Sequence, residues 1–430
     1  MTFADQLSDV IRRKARNNAI FSALFGCVSE QAIDTNTLLI LYLLMLGGTD
    51  SFSMFSTAIA GIAFTFLSIP AAALVNRLGL RFSYSVAIYA QTAMFLLIAA
   101  APYAGSWASA VVLMAFTVFC ILRTFYAATW FPVVDSFLRQ DERGSFFGRM
   151  RFVYMIFNMF LIFGVGYLMG EKPPIWLLQI YFAVAGLGLL GRKYFLDKLP
   201  LNVDLKSSKI EILPALKISL SNTSLVGFSF YYGFLNMAAL SAFPLVVIYM
   251  KNFLGYGAST IMIITAIGIL GQIIGFSLVG KLLNKFGMRW FEVTTHLLFA
   301  LAIGALMFTN SIWQWSCYLL GVLFFVQGVA LAFLLCIGSN EMLALARPGN
   351  KVMAMAVVST FQYLGSALGR LGTTLLIAMN VLAEQWSLWK WSFSHFHTLF
   401  LFDFVLTFLG LALLLLTPAV ITKRSDYYAP

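Results

Sequence analysis

Five charged residues lie well inside long apolar stretches of this chain, away from their ends: Glu30, Asp34, Arg123, Arg370 and Asp403. A charge at the middle of a bilayer costs about 2.5–3.5 kcal/mol on insertion scales, so each needs a partner, a polar cavity or a function. Glu30 and Asp34 are four residues apart and share one face of a helix. Desolvation favours the neutral acid and a nearby arginine favours the carboxylate, so a carboxyl placed between the two influences can exchange a proton as its surroundings change. Glu30 is the first choice for such a proton-carrying group and Asp34 the second. Arg123 is either their counter-charge or an anchor for the ligand; a permanent structural ion pair is the plainer alternative. Arg370 sits in Gly365-Ser366-Ala367-Leu368-Gly369-Arg370-Leu371-Gly372, where the small residues suit close helix contact and the arginine does not. It is read as facing a cavity, with Asp403 as a candidate partner.

Uncharged groups add to the list. Tyr231, Tyr232, Asn236, Asn158, Gln272 and Gln327 could offer hydrogen bonds and aromatic faces to a ring-shaped organic ligand. The same residue types also serve as ordinary interhelical contacts. His296, His395 and His397 fall near the ends of apolar stretches and read as interfacial. Cys27, Cys120, Cys317 and Cys336 all lie in apolar runs, which excludes a disulfide framework and a Cys-x-x-Cys knuckle. No metal, cofactor, His-rich cluster or serine-based constellation is legible, so no enzyme is expected. No phosphate-binding Gly-rich loop is present either.

The elements that position these residues follow from composition. The chain is 61% hydrophobic and 10% charged, where a soluble domain carries roughly 25% charge. A crossing helix needs about 20 mostly apolar residues, and twelve such stretches can be marked: 18–46, 52–76, 82–103, 107–132, 149–170, 175–195, 222–250, 258–283, 290–309, 313–340, 352–382 and 395–421. The expected fold is an all-α polytopic membrane protein of 12 transmembrane helices. Residues 1–18 read as a basic, amphipathic lead-in lying on the membrane. Lys and Arg fall on alternate connections: 23 of 28 lie on one set, and only Lys172, Lys251 and Lys390 on the other. By the positive-inside bias both termini are cytoplasmic, in a plasma membrane of the bacterial inner-membrane kind. Seven of nine tryptophans (Trp107, Trp176, Trp313, Trp315, Trp386, Trp389 and Trp391) then mark the outer ends of spans. The net charge of +11 is thus a membrane-orientation signal rather than a nucleic-acid patch.

A repeat divides the chain. Ala72-Ala73-Leu74-Val75-Asn76-Arg77-Leu78-Gly79-Leu80-Arg81 recurs 208 residues later as Gly280-Lys281-Leu282-Leu283-Asn284-Lys285-Phe286-Gly287-Met288-Arg289. Asp135 with Gly144, and Glu341 with Gly349, form a second pairing, each followed by basic residues. The expected domains are a six-helix bundle over 1–195, a cytoplasmic central loop over 196–221 and a second six-helix bundle over 222–430.

Six spans, a central loop, six more spans and the paired motif resemble the major facilitator superfamily. That family's 2–3 loop carries Gly-x-x-x-Asp-Arg/Lys-x-Gly-Arg/Lys-Arg/Lys, with a weaker copy in the 8–9 loop. Asn76 stands here for the usual Asp, which removes a negative charge, and Ala72 stands for the usual Gly. The resemblance covers essentially the whole chain. It implies two pseudo-symmetric bundles rocking about a central cavity, lined on the N-terminal side by spans 1 and 4, which carry Glu30 and Arg123. It also implies a cytoplasmic gate drawn from Asn76, Arg77, Arg81, Asp135, Arg149 and Arg151 in one half, and Asn284, Lys285, Arg289, Glu341 and Lys351 in the other. The function implied is secondary active transport of a small polar organic solute, a sugar or organic acid, by proton-coupled symport, with Na+ as the other coupling ion. A monomer in the lipid bilayer is expected. Some exporters of the superfamily show Arg-x-x-Gln-Gly in span 4 and Gly-Pro in span 5; Arg123-Thr124-Phe125-Tyr126-Ala127 and the proline-free FGVGYLMG depart from both. The Glu-x-x-Glu-Arg run of its peptide carriers is missing. A proton-coupled multidrug or solute exporter, and a non-transporting sensor or lipid-handling protein, remain alternatives.

Overall fold

A computed structural model describes residues 3–34, 36–139, 142–201, 212–310, 315–346, 351–388 and 391–416. Helices α1 (Phe3–Gln6), α2 (Asp9–Asp34) and α3 (Thr37–Met45) open the chain, followed by α4 (Asp50–Leu78), α5 (Leu80–Ala100), α6 (Ala108–Asp135), α7 (Arg143–Met169) and α8 (Ile175–Asp197). The remainder is α9 (Ile212–Leu220), α10 (Thr223–Ile248), α11 (Ala258–Gly304), α12 (Ser316–Leu345), α13 (Lys351–Ala378), a hairpin of β1 (Gln385–Leu388) and β2 (Trp391–Ser394), and α14 (His395–Leu416). The protein is an integral membrane protein. Nine stretches among the described residues are long and apolar enough to cross a membrane, one of which, Leu80–Asp135, contains both α5 and α6. The expected first and eleventh spans are helical but are not among the nine. The first breaks at Asn36, whose φ of 57° is left-handed, and leaves α3 only nine residues long.

Two compact units emerge. Unit 1 comprises Met1–Gly48, Phe66–Leu161 and Pro173–Ile210; unit 2 comprises Thr49–Thr65, Ile162–Lys172 and Glu211–Pro430. In unit 1, α8 packs on both α2 and α5, and α5 packs on α6. Phe95 meets Phe119 edge-on at 4.6 Å, and the Thr92 hydroxyl donates to the carbonyl oxygens of Ile88 (3.0 Å) and Gly186 (3.2 Å), closing the α5–α8 seam.

The basic residues of the lead-in lie at the start of α2, where Arg13 and Lys14 are exposed and Arg12 and Arg16 have acidic partners. Arg12 is buried, binds Asp9 and reaches Glu142 at 3.4 Å; Arg16 reaches Glu142 at 3.2 Å, and Arg139 pairs with Asp5 at 3.2 Å. Hydrogen bonding to the Arg12 guanidinium holds the Asp9 carboxyl below its usual range.

In unit 2, α10 is buried along most of its length, as a helix apolar all round should be. α13 and α14 pack on it, and α11 packs on α12. The α10–α13 contact runs through Gly233, Gly365 and Gly369: a side chain on any of them would overlap the facing backbone. Gly365 and Gly369 are therefore packing residues, as read from sequence, whereas a Cβ on Gly372 would meet open space. α10 starts at Asn222, whose side chain accepts from Leu225 N at 3.2 Å and so satisfies a free helix-end donor. The β1–β2 hairpin, with Trp386 stacked on Phe393 at 4.4 Å, was not legible as structure in the sequence.

The repeat has a backbone meaning. Gly79 (φ 86°, ψ 153°) starts α5, and Gly287 (φ 75°, ψ 167°) kinks α11 at the matching position. That conformation is essentially restricted to glycine, so each copy uses its glycine to turn one helix into the next. Gly79→Ala and Gly287→Ala should each cost about 1–3 kcal/mol from forced backbone strain. Denaturant or thermal unfolding checks this, and two unchanged midpoints would show that the turns relax freely.

Candidate functional site

Unit 1 places Glu30 between two arginines. Oε2 lies 3.2 Å from Arg123 Nη2 of α6, and Oε1 lies 2.5 Å from Arg192 Nη2 of α8. Arg192 Nε also donates to the Ser22 carbonyl oxygen of α2 at 3.3 Å. Both guanidiniums lie over the ring of Tyr126, Arg192 at 4.7 Å and Arg123 at 5.4 Å from its centroid, in cation–π geometry. Gly26, one helical turn before Glu30 on the same face, makes the arrangement possible, because a Cβ there would overlap the Arg192 guanidinium. The Glu30 side chain is 25% exposed and that of Arg123 18%, whereas Arg192 is almost closed off at 4%.

The cluster does not use up its donors. Arg123 Nε and Arg192 Nη1 are buried without hydrogen-bond partners. Each guanidinium carries five N–H groups, and one carboxylate cannot serve ten. Two cations thus face one described anion, and Glu30 and Arg123 keep part of their surface accessible. The sequence brought Glu30 and Arg123 to notice. It did not single out Arg192, which stands beside Lys193 and Lys198 and so reads as part of a basic loop. Gly26 was the one available signal. Asp34 ends α2, and its side chain lies outside the described residues.

The candidates of unit 2 do not gather in the same way. Arg370 is buried; its Nη1 donates to the Thr57 carbonyl oxygen at 2.5 Å and its Nε to that of Leu240 at 3.3 Å. Asp403 accepts from Ser241 at 2.8 Å, and no ion pair among the described residues joins it to Arg370. Tyr231, Tyr232 and Asn236 are fully buried, on a helix that is buried along most of its length. Tyr232 donates to the Leu334 carbonyl oxygen at 3.2 Å, and Asn236 to that of Tyr232 at 2.7 Å. Gln272 and Gln327 are half-buried on α11 and α12, and Asn158 is buried on α7. His296 and His397 are buried in the protein. His397 accepts from Ser394 N at 3.1 Å through Nδ1 and donates to the Thr309 carbonyl oxygen at 2.9 Å, fastening the hairpin to α14.

The description Major Facilitator Superfamily belongs to the family whose sequence model matches residues 228–426. That match lies in the second half of the chain. Solved structures share the fold over nearly their full length. A nucleoside transporter, NupG, aligns at TM-score 0.69 and 15% identity, covering 94% of this chain and 98% of its own. A D-xylose-proton symporter aligns at TM-score 0.72 and 15% identity (96% and 98%). A POT family transporter in complex with 5-aminolevulinic acid aligns at TM-score 0.69 and 13% identity (95% and 96%). At these identities the likeness is one of fold. No curated protein sequence matches the chain.

Within this fold the expected gate residues are mostly surface groups. Arg77, Arg81, Asp135, Arg149, Lys285 and Arg289 are exposed and Arg151 is half-buried. The side chains of Asn76, Asn284 and Lys351 lie outside the described residues. Glu341 is fully buried in unit 2. Outside the Glu30 cluster, the described ion pairs of unit 1 join Arg12 to Asp9 and Glu142, Arg16 to Glu142, Arg139 to Asp5 and Lys193 to Asp197, and the sequence reading named none of these as a gate residue.

Proposed function

We propose that the protein is a secondary transporter that moves a small polar organic acid across the membrane by alternating access, coupled to a proton as symport. The observation that carries the reading is the pair of arginines around Glu30, each with a donor left unpartnered. A solute carboxylate entering beside them competes with Glu30, since carboxylates and guanidiniums pair in forked geometry. As Glu30 loses its cations to the solute it gains affinity for a proton. Anion and proton therefore bind with mutual support, and a reciprocal coupling of this kind is what symport requires. Tyr126 supplies the apolar floor on which both guanidiniums rest.

The proposed architecture is twelve crossing helices in two six-helix halves, 1–195 and 222–430, joined by a cytoplasmic loop over 196–221, with both termini cytoplasmic. The distribution of Lys and Arg supports this orientation. The protein works as a monomer in a bacterial inner membrane in this reading. The solutes named for proteins of similar fold, a nucleoside, D-xylose and 5-aminolevulinic acid, are small and polar, the class proposed here.

Counterflow in proteoliposomes tests the reading. Preloaded small carboxylates should drive uptake of labelled carboxylate, an inward proton gradient should drive accumulation, and neutral sugars of equal size should exchange much more slowly. Exchange of no solute in a panel spanning carboxylates, sugars and nucleosides would overturn transport altogether. Preference for neutral sugars would overturn the role given to the arginines.

A further inference from the structure

Unit 2 encloses a carboxyl that the Glu30 cluster does not explain. Glu292, in the second half of α11, is fully buried, and neither of its side-chain oxygens has a hydrogen-bond partner. His296 lies four residues on, hence on the same face of the helix, and is also fully buried. Its Nδ1 stands 2.9 Å from the backbone carbonyl oxygen of Glu292. A carbonyl only accepts, so Nδ1 carries the hydrogen and the neutral ring presents a bare lone pair at Nε2. That nitrogen has no partner. Tyr231 of α10 stacks on the His296 ring with centroids 5.6 Å apart, and its buried hydroxyl is likewise unpartnered.

Among the described residues, the charged group that the neighbouring helices bring within reach of Glu292 is another carboxyl. From α12, Glu341 is fully buried and lies within electrostatic reach of both Glu292 and Tyr231. From α14, Gly410 covers His296: a Cβ there would lie 3.5 Å from Nε2. No ion pair among the described residues reaches Glu292. Buried polar side chains are nearly always satisfied, so three unsatisfied ones from two packed helices ask for a reason. An ionised carboxylate here would have no counter-charge among the described residues, which a dry interior does not tolerate.

We propose that Glu292 is a second proton-binding site of the chain, held as the neutral acid while this compartment is closed and discharged when it admits water. Discharge breaks the carboxyl O–H bond and passes the proton to water. The carboxylate left behind is one that the Tyr231 hydroxyl, a donor without an acceptor, is available to stabilise. The site stands on unit 2 alone and does not depend on the reading of Glu30.

Infrared difference spectroscopy of the purified protein in vesicles tests this, because a protonated carboxyl shows a C=O stretch that shifts in deuterated water. The wild type should show such a band at neutral pH. Glu292→Gln should remove it, whereas Glu30→Gln should leave it in place. Asp403→Asn is the control, since Asp403 is, among the described residues, another buried carboxyl with an oxygen that lacks a partner. A wild type without the band, or a band lost in Asp403→Asn and intact in Glu292→Gln, overturns the proposal. Where Glu292→Gln yields no folded protein, Glu292→Asp decides: a shifted band supports the site and an unmoved one overturns it. These outcomes do not depend on transport, so a protein that moves no solute would still answer the question.

Discussion

Glu30→Gln should give a carrier that binds and exchanges its solute but no longer concentrates it. The amide matches the shape of the protonated acid and cannot take up or release a proton. Arg123 and Arg192 would then lack their anion permanently, as they do when a proton has displaced it. Counterflow should persist, accumulation driven by a proton gradient should fall to equilibration, and the pH profile of uptake should flatten. In the wild type the sign runs the other way: lowering the pH favours the proton-bound carboxyl and so the arginine-bound solute, and uptake rises until the solute itself is protonated. The variant should also be less stable when empty. Removing one partner of a fully buried ion pair costs about 3–5 kcal/mol, and Glu30 is partly exposed, so about 1–3 kcal/mol is expected. Added carboxylate solute should restore more melting temperature to the variant than to the wild type. Loss of exchange in a well-folded variant, or an unchanged pH dependence, would show that Glu30 is a fixed structural charge.

Much of this was legible because a bilayer makes charge scarce. With 10% charged residues, Glu30 and Arg123 stood out inside apolar runs, and the structure brings them to 3.2 Å. The repeat was legible for a similar reason: Gly79 and Gly287 share a conformation that other residues avoid, so the motif carries its geometry in its letters. What escaped notice has a common physical origin. Apolar periodicity cannot tell a helix facing a cavity from one enclosed by protein, and α10 is the latter, so Tyr231, Tyr232 and Asn236 turned out to be core. The positive-inside bias hid Arg192 among loop lysines although α8 carries it into the interior. Glu292 was missed because it follows the motif copy closely enough to pass for a span end, yet the kink at Gly287 starts a new helical run that buries it within two turns.

Arg192→Lys is the sharper test of the site, because it changes geometry and keeps the charge. Lysine has no planar fork, cannot lie flat over Tyr126 in the same way, and cannot serve Glu30, Ser22 and an incoming carboxylate together. A charge-assisted hydrogen bond contributes about 1.5–3 kcal/mol, so solute affinity should fall by roughly 10–100-fold. Folding should hold, since the cation that balances Glu30 remains. Gly26→Ala approaches the same guanidinium from the other side: its Cβ would occupy the space Arg192 now fills, pushing the fork away with the arginine intact. If the placement of the fork matters, both variants should lose affinity while keeping the wild-type response to pH, because Glu30 is untouched. Isothermal titration with the solute found by counterflow would measure the first effect and uptake across a pH series the second. Wild-type affinity in Arg192→Lys would reduce Arg192 to a counter-charge and leave Arg123 as the sole anchor. A matched loss in both variants would make the α2–α8 contact, and the glycine that permits it, the element that sets the binding geometry.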